Sequence, residues 1–151
     1  MGTVGIAYAP RMGTSDEIFA AWGDTNCFGC SQKNPHGLHV AYESGPDGTG
    51  VGHFTPRPEF EGPPGFLHGG LAATAMDEAL GWTAHESVED KWVTGTLEIR
   101  YRKPVPLDGG PYRIETETLR HSGRRKRLAG RLLLADGSVA VEGEAVFIKV
   151  A

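Results

Sequence analysis

The chain has 151 residues, 22 of them glycine and 10 proline, and a formal net charge of −4 at pH 7, which indicate one turn-rich globular domain and argue against general nucleic-acid binding. No apolar run approaches the roughly 18–20 residues that would span a bilayer, and the N-terminal residues lack the basic and apolar regions of a signal peptide. The two cysteines cannot form a disulfide framework, so we expect a cytoplasmic protein with reduced thiols.

The N-terminal part of the chain, 1–24, is predicted to be an extension of the single domain that we assign to 1–151. Thr14 and Glu17 have the spacing of a capping box, which predicts a short helix over about 15–22. The segment that follows, 22–37, is rich in Gly, Asn and Pro and is therefore predicted to be mostly loop.

Six later segments have the pattern of β-strands, with apolar residues at alternate positions. They begin near 38, 50, 94, 112, 127 and 138. Turn sequences at 45–48 and at Asp136-Gly137 predict hairpins after the first and fifth of them. In the third segment, Leu97, Ile99 and Tyr101 share one face.

One long helix, predicted over about 70–85, separates the first two strands from the last four. Apolar residues cover well over half of its circumference, so we expect it to be buried. This order of elements predicts an α+β fold in which an antiparallel sheet packs on a single helix.

The His68-Gly69-Gly70 turn and the acids that follow it are the main candidates for chemistry. Glycines at a helix start leave backbone N–H groups free to face a ligand oxygen, and the helix dipole adds partial positive charge there. Asp77 lies at the edge of the apolar arc, where partial desolvation would raise its pKa. Glu78 lies on the polar arc and is expected to be solvated or paired. A polarised carbonyl beside an acid is the minimum apparatus of acyl transfer.

Four segments, in this order and spacing, resemble hotdog-fold acyl-CoA thioesterases, most closely the phenylacetyl-CoA thioesterase-like branch. They are 27–38, which begins Cys-Phe-Gly-Cys, 60–65, the His68-Gly69-Gly70 turn with Asp77 nine positions after His68, and 94–106. The resemblance implies five or six antiparallel strands wrapped around one long central helix. It also implies homodimers, in some members homotetramers, with active sites at the dimer interface.

The same resemblance implies roles for individual residues. The family's catalytic carboxylate falls on Asp77, its polarising backbone N–H on Gly69 and its turn histidine on His68. A threonine that assists the water in some relatives falls on Thr94. Gly62 stands in the region where phenylacetyl-CoA-type members carry an asparagine.

We therefore expect hydrolysis of an acyl-CoA or acyl-carrier thioester, with coenzyme A as part of the substrate and no metal or organic cofactor required. Gly69 N–H, helped by Gly70, would polarise the carbonyl, and Asp77 of the other subunit would act as nucleophile or general base. His68 either orients the turn or contacts the thioester, and the alternative is a purely structural histidine. For Thr94 the alternative is packing or hydrogen bonding within the sheet.

The Cys27 and Cys30 pair admits a zinc interpretation, because His36 and His39 are near enough in sequence to complete a Cys₂His₂ set. We prefer a loop that packs near the acyl pocket. A thioredoxin-like redox role is disfavoured further, since no βαβ context follows.

Basic residues crowd one predicted hairpin and present either a solvated turn or a cradle for the phosphates of coenzyme A. They are Arg120, Arg124, Arg125, Lys126 and Arg127. Apolar side chains near the turn are candidates to line an acyl pocket, with core packing as the alternative. They include Phe66, Leu67, Met76 and Trp82.

Two other functions remain open on the sequence alone. Hotdog folds also host acyl-thioester hydratases and dehydratases, and a non-catalytic acyl-CoA-binding module is a further alternative. The spacing of turn and acid within one helix favours hydrolysis. We expect no nucleic-acid or membrane partner.

Overall fold

A computed structural model describes residues 26–87 and 89–150. The predicted helix over 15–22 lies outside these residues. Within them the chain forms six strands and one α-helix. These are β1 (Ala41–Ser44), β2 (Thr49–Phe54), α1 (Gly69–Ala84), β3 (Trp92–Tyr101), β4 (Tyr112–Ser122), β5 (Arg125–Leu133) and β6 (Val139–Lys149). A short 3-10 helix, Pro58–Phe60, precedes α1.

All six strands belong to one antiparallel sheet with the order β1-β2-β4-β5-β6-β3. The helix α1 contacts all six strands. The buried residues of α1 and those on the inner face of the sheet together form most of one apolar core. The predicted α+β architecture is therefore confirmed, and the sheet has six strands. No helix within 26–87 or 89–150 is long and apolar enough to cross a membrane.

Two glycines let α1 lie unusually close to the middle of the sheet. Gly130 of β5 and Gly143 of β6 are direct cross-strand partners. A Cβ on either would overlap the Met76 side chain, which is fully buried. Because neither glycine has a side chain, the sheet leaves room at this point for the large Met76 side chain of the helix.

The strand β3 lies at one edge of the sheet, where it pairs with β6 alone. Its register shifts between Thr94 and Thr96, so that Gly95 forms a bulge. Thr94 is opposite Phe147, and Phe147 is buried against the helix side of the sheet. Because opposite residues share a face of the sheet, the bulge turns Thr94 toward α1.

Candidate active site

The segment that leads into α1 is held by backbone hydrogen bonds on both sides. His68 N–H donates to Phe60 O at 2.9 Å, and Leu67 N–H donates to Val105 O at 2.9 Å. Gly62 lies directly against this segment, and a Cβ there would stand 2.7 Å from His68 Cα. An asparagine at position 62 would therefore displace His68, which gives a physical reason for glycine at this point.

The side chain of His68 caps the helix that it precedes. Its Nδ1 accepts a hydrogen bond from Gly70 N–H at 2.9 Å, so in the neutral ring the proton lies on Nε2. This corrects one expectation, because the Gly70 N–H that was to help polarise the substrate is already engaged. Gly69 N–H, at the first residue of α1, has no acceptor within the helix and is the donor that the turn can offer.

Tyr101, at the end of β3, completes this turn and was not identified from the sequence as a site residue. Its hydroxyl donates to Gly69 O at 2.7 Å, and its ring lies against the Gly69 Cα position. The side chain is 55% exposed, so the ring covers the turn from the solvent side. No sequence pattern connects these two residues, because the contact depends on where β3 ends relative to the helix start.

Asp77 and Thr94 form the second half of the candidate site. The Thr94 hydroxyl donates to Asp77 Oδ1 at 2.8 Å. Asp77 is partly buried, and this burial raises the pKa of its carboxyl while the bond from Thr94 lowers it. Thr94 itself is exposed at the sheet edge, so the pair opens toward the unpaired side of β3.

Within one chain the two halves of the site are too far apart to act on one carbonyl group. Gly69 and Asp77 both lie on α1, eight residues apart, which corresponds to about 12 Å along a helix. A reacting carbon must lie within about 3–3.5 Å of its nucleophile. The turn and the acid of one chain therefore do not meet at one carbon atom.

The two apolar candidates beside the turn have different environments. Phe66 is 37% exposed, next to the helix start, and remains available to a ligand. Leu67 is 5% exposed and belongs to the core, so the core-packing alternative applies to it. Met76 is also fully buried, beneath the glycine pair, and Trp82 packs against Cys30.

The basic segment forms the predicted hairpin, between β4 and β5. Arg120, Arg124, Arg125 and Arg127 are exposed there. Arg124 donates to Lys149 O at 2.9 Å, and Arg127 pairs with Glu144.

The expectation that Lys126 contributes to a phosphate-binding surface is wrong. Its side chain is only 1% exposed and cannot join a surface cradle. Its Nζ donates to Ala84 O at 2.6 Å, at the C-terminal end of α1. It also lies 3.6 Å from a Glu86 carboxylate oxygen and 4.5 Å from the centre of the Trp92 ring. The ammonium thus caps the negative end of the helix dipole instead of facing solvent.

Glu78 is the acid whose surroundings differ most from expectation. It is covered by the 27–38 loop rather than solvated, and Cys27 Sγ lies 3.6 Å from its Oε1. Burial raises the pKa of Glu78 to about 7, whereas a hydrogen bond from the Cys30 side chain lowers the pKa of Cys27 to about 5. The same contact with Cys27 raises the pKa of Cys30. The cluster does not include His36 or His39.

Comparison with known families shows which family the chain belongs to. Residues 64–140, which contain the turn, Asp77 and Thr94, match the family model of the Thioesterase superfamily. The chain belongs to the thioesterase superfamily. The resemblance to thioesterases stated from the sequence is thereby confirmed at the level of the superfamily.

Relatives within the superfamily agree with this membership. The chain is 35% identical over 98 residues to the acyl-coenzyme A thioesterase THEM4 of Xenopus laevis, an alignment that covers 64% of this chain and 43% of that protein. The chain thus spans less than half the length of this curated relative.

Solved structures confirm the hotdog thioesterase fold. One thioesterase superfamily protein superposes with a TM-score of 0.74 at 29% identity, covering 94% of this chain and 68% of the other. The E. coli PaaI protein from the phenylacetic acid degradation operon superposes with a TM-score of 0.72 at 12% identity, covering 92% and 97% of the two chains.

Proposed function

We propose that this superfamily member is an acyl-CoA thioesterase that converts an acyl thioester and water into a carboxylic acid and free coenzyme A. The observation that carries the proposal is the Asp77 carboxylate, which Thr94 holds at 2.8 Å beside an open sheet edge. Gly69 N–H polarises the thioester carbonyl, since it begins α1 with no intrahelical acceptor. The THEM4 relative, which is named an acyl-coenzyme A thioesterase, supports the same substrate class.

The reaction has two routes that use the same groups. In one, an Asp77 oxygen attacks the carbonyl carbon and the carbon–sulfur bond breaks. Coenzyme A departs as its thiolate, and water hydrolyses the mixed anhydride that remains on Asp77. In the other, Asp77 takes a proton from water while that water attacks the carbon. The carbon–sulfur bond then breaks, and the thiolate of coenzyme A leaves as the proton returns from Asp77. Thr94 occupies Oδ1, so Oδ2 is the oxygen that we expect to react in either route.

The proposed active unit is a dimer that forms along β3. This strand has ten residues and a free edge, which is a template for pairing with a second copy. Pairing there would bring the Asp77 of one copy toward the turn of its partner. It would also cover Tyr101 and Val93, which are 55% and 39% exposed in the single chain.

Coenzyme A is the carrier that we favour, with Arg124 and Arg125 of the β4–β5 hairpin as contacts for its phosphates. Thr94 and Lys126 are both opposite Phe147 in β6, which places the start of β5 about 10 Å from Thr94 across two strand spacings. Phe66, exposed beside the turn, is our candidate for contact with the acyl group.

Thiol-release kinetics on a panel of acyl-CoA chain lengths and aromatic thioesters test the proposal. Asp77→Asn should keep the fold and dimer while kcat falls at least about 10²-fold, the size expected for a lost acid–base or nucleophilic group. An enoyl thioester serves as the control for hydratase chemistry and should lose its thiol rather than its double bond. A variant with wild-type kcat, or hydration without thiol release, would refute the assignment.

A single turnover in ¹⁸O-labelled water identifies the anhydride route when the label reaches Asp77. In that route, water that attacks the Asp77 carbonyl carbon leaves the label in the Asp77 side chain and sends an Asp77 oxygen into the acid product, whereas water that attacks the acyl carbon labels only the product. In the general-base route the label enters only the product. Mass spectrometry of the peptide that contains Asp77 reads out the difference.

A further inference from the structure

The 27–38 loop and α1 bring three metal-ligating side chains together on a different face of the helix from the one that Thr94 contacts. Cys27 and Cys30 come from the loop, and Glu78 comes from the middle of α1. Their two Sγ atoms and a carboxylate oxygen all lie within 4.8 Å of one another. Cys30 is buried and the other two are partly buried, so the cluster lies inside the protein surface.

We propose that Cys27, Cys30 and Glu78 bind one zinc ion, which fastens the 27–38 loop to α1. Zinc bonds of about 2.3 Å to sulfur and about 2.0–2.2 Å to oxygen would hold tetrahedral ligand atoms about 3.5–3.8 Å apart. The largest separation in the cluster, 4.8 Å, therefore needs to contract by about 1.0–1.3 Å, which lies within the reach of side-chain rotation. Two thiolates with one carboxylate suit zinc better than magnesium or calcium, which take oxygen ligands.

The loop presents its sulfur atoms in a turn that does not depend on the metal. The N–H groups of Cys30 and Gly29 donate to Cys27 Sγ, and Ser31 N–H donates to Cys27 O at 3.0 Å. Further bonds tie the loop back on itself, from Leu38 N–H to Phe28 O at 2.7 Å and from Val40 N–H to Gly29 O at 2.9 Å. A Cys-x-x-Cys pair is the ligand spacing that zinc sites use.

Charge is the second reason to place a cation here. Among the salt bridges of the described residues, none includes Glu78. The loop covers this acid closely, because a Cβ on Gly29 would overlap its carboxylate. A partly buried carboxylate packed against two sulfur atoms is costly unless a proton or a cation neutralises it. A zinc ion is a cation that engages all three groups at once.

The histidines that the sequence offered as partners are engaged elsewhere or exposed. The His39 Nε2–H donates to Asn34 O at 2.6 Å, and its Nδ1 lies 3.5 Å from an Arg57 guanidinium nitrogen. His36 is exposed. We assign the fourth coordination position to water, since the cluster contains three protein groups among the described residues. This proposal replaces the sequence-based expectation that no metal is bound.

Cobalt titration of the full chain tests the site without using activity. The protein is reduced, stripped with a chelator and titrated with Co²⁺ in the absence of oxygen. We expect one equivalent to produce thiolate-to-cobalt charge-transfer absorption and the visible bands of tetrahedral cobalt, and one equivalent of Zn²⁺ to remove both. Cys27→Ser and Cys30→Ser should abolish these signals. Glu78→Gln should weaken Co²⁺ binding at least about tenfold, because it replaces a charged ligand with an amide.

Variants of the two nearby histidines serve as controls for the cobalt titration. His36→Gln and His39→Gln should titrate like the wild type, and Zn²⁺ should raise Tm in these variants but not in Cys30→Ser. Circular dichroism before titration identifies variants that have not folded. The site is refuted if the folded, reduced wild type binds no stoichiometric Co²⁺, if both cysteine variants still bind it, or if Glu78→Gln matches the wild type. A Cys27–Cys30 disulfide that persists in reducing buffer would refute it as well.

Discussion

The Tyr101 hydroxyl donates a hydrogen bond of 2.7 Å to the carbonyl of Gly69, 32 positions earlier in the chain. That carbonyl belongs to the peptide group whose N–H, on Gly70, donates to His68 Nδ1 at 2.9 Å. Tyr101, one peptide group and His68 therefore form a continuous chain of hydrogen bonds. This chain fixes the plane of the turn and keeps the His68 proton on Nε2, the nitrogen that remains available to a substrate.

Tyr101→Phe tests whether this chain positions the turn for catalysis. The ring would keep its contact with Gly69, but the donor would be lost. The loss of one neutral hydrogen bond is worth about 0.5–1.5 kcal/mol, so we expect kcat to fall about two- to tenfold. KM should change little, and the free energy of unfolding should fall by no more than about 1.5 kcal/mol, the worth of this one hydrogen bond. Steady-state kinetics with urea unfolding give both quantities, and an unchanged kcat would contradict the positioning role.

Thr94 offers a matched pair of substitutions for the acid half of the site. Thr94→Val removes the hydroxyl that donates to Asp77 Oδ1 while keeping the shape of the side chain. We expect kcat to fall about tenfold or more, since a hydrogen bond to a charged group is worth about 1.5–3 kcal/mol. Thr94→Ser keeps the donor and should stay within about threefold of the wild type. Equal losses in the two variants would indicate that packing, rather than the hydroxyl, explains the contact.

The periodicity of the sequence was sufficient to predict most of the fold. The helix expected over about 70–85 differs from α1 by one residue at each end, because glycines at its start and the loss of apolar periodicity at its end are both visible. The first strand is shorter than predicted and begins at Ala41, since 38 and 40 belong to the loop that closes on Phe28 and Gly29.

Parts of the site depend on contacts that periodicity does not contain. Strict alternation would place Thr94 with Glu98 on the outer face of β3, and only the family resemblance indicated it. The bulge at Gly95 reverses that face, and a Cβ at this position would stand only 3.1 Å from Val146 O. Helical periodicity predicts the face of α1 on which Glu78 lies, but it does not predict which loop covers that face.

The burial of Lys126 could have been predicted from the sequence, although its basic neighbours suggest an exposed residue. In β5 the exposed Arg125 and Arg127 alternate with the buried Lys126 and Leu128, as in any strand with one buried face. Applying the period of two to the basic run would have placed this lysine inside. The apolar stem and the helix end at Ala84 then explain how a buried ammonium is tolerated.

Lys126→Met should therefore destabilise the fold rather than weaken substrate binding. The substitution keeps most of the side-chain volume but leaves Ala84 O without the Nζ donor and removes the cation near the Trp92 ring. We expect the free energy of unfolding to fall by about 1–3 kcal/mol. Arg125→Met, at the next position and exposed, is the control and should change it by less than about 0.5 kcal/mol. Urea unfolding measures both, and equal stabilities would contradict the capping role.

Binding of the coenzyme A phosphates by Arg124 and Arg125 is tested by comparing thioesters with and without those phosphates. In Arg124→Gln/Arg125→Gln, we expect KM for acyl-CoA to rise about tenfold or more, because two cations that face the phosphates are lost. KM for the same acyl group on N-acetylcysteamine, which lacks phosphates, should not change. Arg131→Gln, which removes an exposed arginine paired with Glu115, is the control for a general charge effect. A parallel rise with both thioesters would refute phosphate recognition.

His85 predicts how stability depends on pH. Its Nδ1–H donates to Gly81 O at 2.7 Å and its Nε2 accepts from Trp92 N–H at 3.2 Å, so only the neutral ring satisfies both bonds. Burial lowers the pKa of His85 below its usual 6.5, and the charge of Lys126 acts in the same direction, whereas the hydrogen bond to Gly81 O and the charge of Asp90 oppose it. Below about pH 6.5 the unfolded chain therefore takes up a proton that the folded chain resists.

This linkage should make the free energy of unfolding decrease as pH falls from 7.5 to 5, by no more than about 1.4 kcal/mol per pH unit for this one group. Asp77 and Glu78, whose pKa values are raised, contribute with the opposite sign, so the comparison must be between variants. His85→Gln should flatten the decrease, because it removes the titrating ring, while His36→Gln, at an exposed position, should leave it unchanged. Urea unfolding at several pH values measures the slopes. If wild type and His85→Gln have the same slope, the buried neutral ring is not a source of the pH dependence.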